Sequence, residues 1–138
     1  MPPTKKSRPK SQDFWAIGLT IMRCEHKRAS QATLSLQFLR FFGAEPTFIS
    51  ILWFLLDRYR CLQDRSDIYS CHLLWTLHFL KVYSTEVVMS KMLECDEKTL
   101  RNKVWFVLAA IARLDSLLVR VCVSQAYSVY DLFCSLSF

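Results

Sequence analysis

Glycine and proline are scarce in this chain, two and four among 138 residues, and three of the prolines fall within the first nine positions. A sheet protein with many tight turns needs more of both, because its turn positions call for left-handed or φ-locked backbone. Helices joined by short connections do not, so the composition favours an all-α fold. Long apolar runs are missing as well. A membrane-crossing helix needs about 20 predominantly apolar residues. The best run without Asp, Glu, Lys or Arg, Ile68–Leu80, contains His72 and His78, while Pro46–Leu56 and Val104–Ala112 are shorter. No membrane span is expected. A secretory signal is not expected either: the apolar run Phe14–Met22 is short and closes on Arg23, Cys24, Glu25 and His26 without a small-residue cleavage pattern.

The six cysteines (Cys24, Cys61, Cys71, Cys95, Cys122, Cys134) lack any C-x-x-C pair, and no paired histidines stand at ligand spacing. No metal site and no cofactor are expected. Most of these cysteines lie in apolar stretches, where a free thiol behaves as a small hydrophobe, so reduced, buried thiols in an intracellular setting are expected. Acid is absent from the first twelve residues, where Lys5, Lys6, Arg8 and Lys10 concentrate four of the 18 basic residues. That leaves 14 basic against 12 acidic residues for the rest, so the net charge of +6 describes a basic arm on a nearly balanced body. Nucleic acid, an acidic partner and an anionic membrane surface all fit such an arm.

What the sequence has is apolar mass: 52% hydrophobic and 14% aromatic residues, enough to fill the core of one domain. Residues 1–12 read as a disordered arm for phosphate contact or nuclear import, or as an ordinary solvated terminus. Asp13 is placed to cap a helix through Phe14, Ile17, Ile21 and Met22, with Lys27 and Arg28 near its end. A second helix is predicted over Thr33–Phe42, stopped by Gly43. Pro46, preceded by Glu45, opens a third, with Phe48, Ile51, Leu52, Leu55 and Leu56 as its apolar stripe. Beyond the polar linker Gln63–Asp67, His72–Lys81 is apolar on nearly every side, as for a helix in the middle of a bundle.

The segment 84–114 reads as a helix-turn-helix-like unit. Ser84 or Thr85 caps a short helix with Val88, Met89, Met92 and Leu93. Glu94 and Cys95 make the connection, and Asp96 caps a longer helix buried through Leu100, Val104, Val107, Leu108, Ile111 and Leu114. At about 100° per residue, Lys98, Asn102, Trp105, Ala109 and Arg113 fall opposite that stripe, flanked by Arg101 and Lys103. Basic side chains contact phosphates or guanine edges and asparagine reads adenine, so Lys98, Arg101, Asn102 and Lys103 are the candidate DNA contacts. The same face is also what a solvated helix shows, and Trp105 also suits packing.

The run His72–Glu86, followed by Cys95–Trp105, with Phe41-Phe42-Gly43, Pro46 and Leu52-Trp53 upstream, resembles the segment ahead of the catalytic domain in Harbinger-like transposases, the DDE-superfamily endonucleases of plant transposons. The likeness spans roughly Leu36 to Asp115. It implies a helix-turn-helix-like module that positions transposon DNA for a nuclease holding divalent metal on three carboxylates. Past Glu97 this chain has only Asp115 and Asp131, so no nuclease activity is expected. Within the likeness, Thr76 and His78 replace aliphatic residues and Glu94 stands where the turn often has glycine. Residues 116–138 fit nothing in that family: Val119, Val121 and Val123 alternate with polar positions as in a strand. An irregular apolar tail from a truncated or frame-shifted copy is expected. The expected function is a nuclear, DNA-binding, nuclease-free transposase fragment. The alternatives are an interaction module that forms a homodimer or docks a full-length transposase, a membrane-peripheral helical protein, and a relic without selected function.

Overall fold

The computed structural model describes residues 8–24 and 28–136. Six helices and no strand are found among them: α1 (Ser11–Ile21), α2 (Gln31–Phe42), α3 (Pro46–Arg58), α4 (Ser70–Val82), α5 (Glu86–Leu93) and α6 (Glu97–Leu136). The chain is all-α, as its scarcity of turn residues implies.

Local chemistry sets the helix starts. Asp13 acts from the third helical position, where its carboxylate accepts the Lys10 amide N–H at 2.6 Å. α1 therefore starts two residues before Asp13, and the arm shortens by the same two residues. Lys27 lies outside the described residues, and Arg28 lies beyond the end of α1. Ser30 Oγ accepts the Thr33 amide at 3.2 Å and starts α2 at Gln31. Pro46 occupies the first turn of α3 after Glu45.

The helix ends were less legible. Gly43 stops α2 in the left-handed region at φ 77°, but Arg23, Arg60, Tyr83 and Glu94 make the same turn at φ 54–57° after α1, α3, α4 and α5. A side chain there costs roughly 1–2 kcal/mol, which the surrounding packing must offset.

α4 is the central element, packed on α1, α2 and α6, which is why its sequence is apolar all round. The main core joins Phe14, Phe38, Phe42, Ile49, Leu56, Leu73, Leu74, Val107 and Ala110. α3 buries Ile49, Trp53 and Leu56, while Phe48 and Ile51, which the periodicity had placed on the core side, are exposed at 57% and 49%. Tryptophan has the larger surface to bury, and satisfying Trp53 turns the helix.

Thr76 and His78 of α4 are both buried and hydrogen-bonded. Thr76 Oγ1 donates to the His72 carbonyl at 2.8 Å. His78 Nδ1 donates to the Phe41 carbonyl at 2.9 Å, and its ring stacks on Phe41 at 4.0 Å. Burial pushes the His78 pKa down. The unfolded chain takes up a proton on this histidine near pH ~6.5 while the folded one resists it, so stability falls as pH drops below that value, by at most about 1.4 kcal/mol per pH unit. Thermal unfolding followed between pH 7 and pH 5 should show this slope, and His78→Leu should flatten it. An unchanged slope contradicts the assignment.

Residues 116–136 correct the expectation of an irregular tail with a strand: they continue α6 without a break. A six-residue alternation does not outweigh a helix nucleated upstream, because each added residue gains a hydrogen bond at little further cost. A strand would also need a ladder partner, and the described residues offer none.

Candidate nucleic-acid interface

Thr85 caps α5, its hydroxyl accepting the Val88 amide at 3.4 Å. Three residues, Glu94–Asp96, separate α5 from α6. Asp96 then caps α6, its carboxylate accepting the Thr99 amide at 3.0 Å and the Thr99 hydroxyl at 2.6 Å. Beneath this pair lies a small second core of Met89, Leu100 and Val104, closed by Trp75, Phe79, Met92, Leu93 and Leu108. Trp75 and Phe79 belong to α4, so the α5–α6 corner is seated on the central helix. Val88 of α5 is 60% exposed.

Glu94 holds the turn at φ 56°, the conformation that glycine adopts without cost. Its carboxylate reaches only an exposed ion pair with Arg23 at 3.1 Å, worth little in water. Glu94→Gly should therefore stabilise the fold by about 0.5–1 kcal/mol, relief of strain less the added chain entropy. Denaturant unfolding checks this, and a loss of stability would contradict it.

The outward face of α6 carries the four candidate contacts in three different states. Lys98 and Asn102 are exposed, the latter lending only its backbone carbonyl to Arg65 at 3.5 Å. Arg101 is exposed but engaged: its Nε donates to both carboxylate oxygens of Glu86, at 2.9 and 3.2 Å. This pair holds the Glu86 carboxyl below its ordinary range. Lys103 is mostly covered, its side chain 13% exposed, and its ammonium grips both the carboxylate and the carbonyl of Asp67. Arg65 donates to both oxygens of that carboxylate, at 2.6 and 2.9 Å, and shares Oδ2 with Lys103. Two cations keep Asp67 well below the usual carboxylate range. Lys103 thus ties the α3–α4 connection to α6. Arg113 does the same one face further on, donating to the Cys61 carbonyl at 2.8 Å beside Asp64.

Trp105 completes the face, 56% exposed, with its inner edge on Phe79 at a centroid distance of 6.3 Å. Of the arm, Lys10 is exposed at the start of α1, and Arg8 lies with its guanidinium 3.6 Å over the Phe54 ring. Lys5 and Lys6 lie outside the described residues.

A groove of 580 Å³ between α1, α2 and the start of α3 is lined by residues such as Trp15, Leu36 and Leu39, with Glu45 the one carboxylate on its wall. Among the described residues, no group of three or more His, Cys, Asp or Glu is placed to hold a metal ion. No single described helix is long and apolar enough to cross a membrane; α2 and α3 reach that length together but bend by 44°. The six cysteines are free. Burial raises the Cys61 thiol pKa, whereas Cys122 and Cys134, expected inside, are exposed. The extended α6 places both beyond the core.

No family model, no curated protein and no solved structure matches this chain.

Proposed function

We propose that the chain docks on duplex DNA through the α5–turn–α6 corner, as a DNA-positioning module like that of Harbinger-like transposases, and that it acts in the nucleus. One observation carries the reading: the first turns of α6 present Lys98 and Asn102 to solvent, with Arg101 alongside, from a capped helix end held rigidly on α4. A recognition helix uses this same part of its length, where side chains reach base edges and phosphates at once. The sequence resemblance over residues 36–115 points the same way.

The docking surface is narrower than the charge count implies. Lys103 serves the fold, Arg101 must leave Glu86 to reach a phosphate, and Lys98 and Asn102 are ready as they stand. Titration of the full chain with random duplex DNA, at several salt concentrations, tests this. Lys98→Ala should weaken binding roughly three- to tenfold near 0.1 M salt and flatten the log–log salt slope by about 0.9, the value of one lost phosphate contact. Its unfolding free energy should stay within about 0.5 kcal/mol of the parent. Binding that ignores both salt and Lys98→Ala would contradict the proposal.

A further inference from the structure

α6 outruns the bundle it belongs to. Among the side chains described, the last buried one is Leu114, Leu117 and Leu118 still lean on the core, and every position from Val119 to Gln125 is exposed, as is Cys134. The eighteen residues Val119–Leu136 carry the helix roughly 27 Å beyond Leu118, at about 1.5 Å per residue. Helices in proteins draw most of their stability from packing an apolar face, and Val119, Val121, Val123 and Val129 lower the intrinsic helix propensity of this one.

The sequence of the segment is amphipathic on its own terms. Positions 119, 123, 126, 130 and 133 recur at spacings of four and three and hold Val, Val, Ala, Tyr and Phe. Positions 120, 124, 128, 131 and 135, on the other side, hold Arg, Ser, Ser, Asp and Ser. An apolar repeat of 3.5 residues is the period of a coiled-coil seam. The core stripe of α6 ends at Leu118 and the seam begins at Val119, one residue and so about 100° further round. Val119 and Val123, which open the second stripe, are exposed.

Charge and size select the occupant. Only Arg120 and Asp131 are charged among these eighteen residues, and both flank the seam on the same side. An antiparallel pair brings like flanks together, so two copies crossing at position 126 bring Arg120 to within one residue of the level of Asp131 of the other copy. The same crossing sets Val119 opposite Phe133 and Val123 within one residue of the level of Tyr130, with alanine at the crossing. A parallel pair would instead set Tyr on Tyr, Phe on Phe and Arg120 level with Arg120. We propose that the end of α6 pairs antiparallel with the same segment of a second copy, making a dimer whose two bundles sit at opposite ends of the paired helices. The pairing is independent of the DNA reading.

Sedimentation of the full chain over a range of concentrations, without DNA, tests the dimer. The parent should dissociate reversibly from dimer to monomer. Val119→Glu with Val123→Glu should abolish the dimer while the bundle still unfolds cooperatively. Arg120→Asp should weaken the dimer roughly two- to fivefold, and Asp131→Arg added to it should restore the affinity. Orientation is read by disulfide trapping with Cys122 and Cys134 replaced by serine: mixing Val119→Cys chains with Phe133→Cys chains should give a cross-linked dimer, and neither alone should. A chain monomeric at all concentrations, a dimer indifferent to the two glutamates, or Val119→Cys cross-linking to itself would each overturn the proposal.

Discussion

Gly18→Ala should lower the unfolding free energy by about 2 kcal/mol, although alanine is the better helix former by roughly 0.8–1.0 kcal/mol. Gly18 is buried within α1, and a Cβ added there would stand 2.1 Å from Phe38 Cε2. The Phe38 ring has no room to retreat: it is fully buried, stacked on Trp15 at 5.4 Å and against Phe42 at 4.7 Å. An extra methyl in a filled core costs typically 1–3 kcal/mol, and a contact this close belongs at or above the upper end. The overlap therefore outweighs the propensity. Thermal unfolding should show a fall of roughly 5–10 °C. Phe38→Leu added to the alanine variant should return part of the loss, because the smaller side chain vacates the overlapped space; the two changes should couple by about 1 kcal/mol in a double-mutant cycle. An alanine variant as stable as the parent would mean that α1 does not cross α2 at Gly18.

Glu86→Gln should strengthen DNA binding roughly three- to tenfold near 0.1 M salt and steepen the salt slope by about 0.9, the reverse of losing a phosphate contact. Glu86 is the counter-ion that holds Arg101 along the surface of α5. The neutral amide releases the guanidinium and removes a negative charge beside the docking face. The steeper slope should vanish when Arg101→Ala is combined with it, since no restrained cation is then left to free, and only the smaller gain from the removed negative charge should remain. Unchanged affinity in Glu86→Gln would mean that Arg101 takes no part in docking.

Much of the helical frame could be read from residue spacing, and the successes share a cause. Gly43, Pro46, Thr85 and Asp96 act within four residues of themselves, so the sequence window contains the whole interaction. The buried stripe of α6 was legible for a related reason: a long helix packed along the bundle keeps a strict period, even as it passes from the second core to the main one. Features that depend on distant segments were not legible. Gly18 is a crossing point only because α2 returns to it. Lys103 resembles a free surface cation until the α3–α4 connection brings Asp67 and Arg65 to it, 36 and 38 positions away in sequence. Arg101 likewise looks available until α5 folds back and sets Glu86 against it. The left-handed stops at Arg23, Arg60, Tyr83 and Glu94 left no glycine to mark them. The strand-like alternation after Leu118 misled because period was judged over six residues, without the helix that feeds into it.

The most direct test of DNA docking is a map of backbone amide shifts in the isotope-labelled full chain as random duplex DNA is added. Docking through the α5–α6 corner predicts the largest shifts at Glu94–Arg101, the turn and first helical turn, with Trp105 following and the α2–α3 face silent. Shifts centred on α2 and α3, or none at concentrations where binding is otherwise detected, would contradict it.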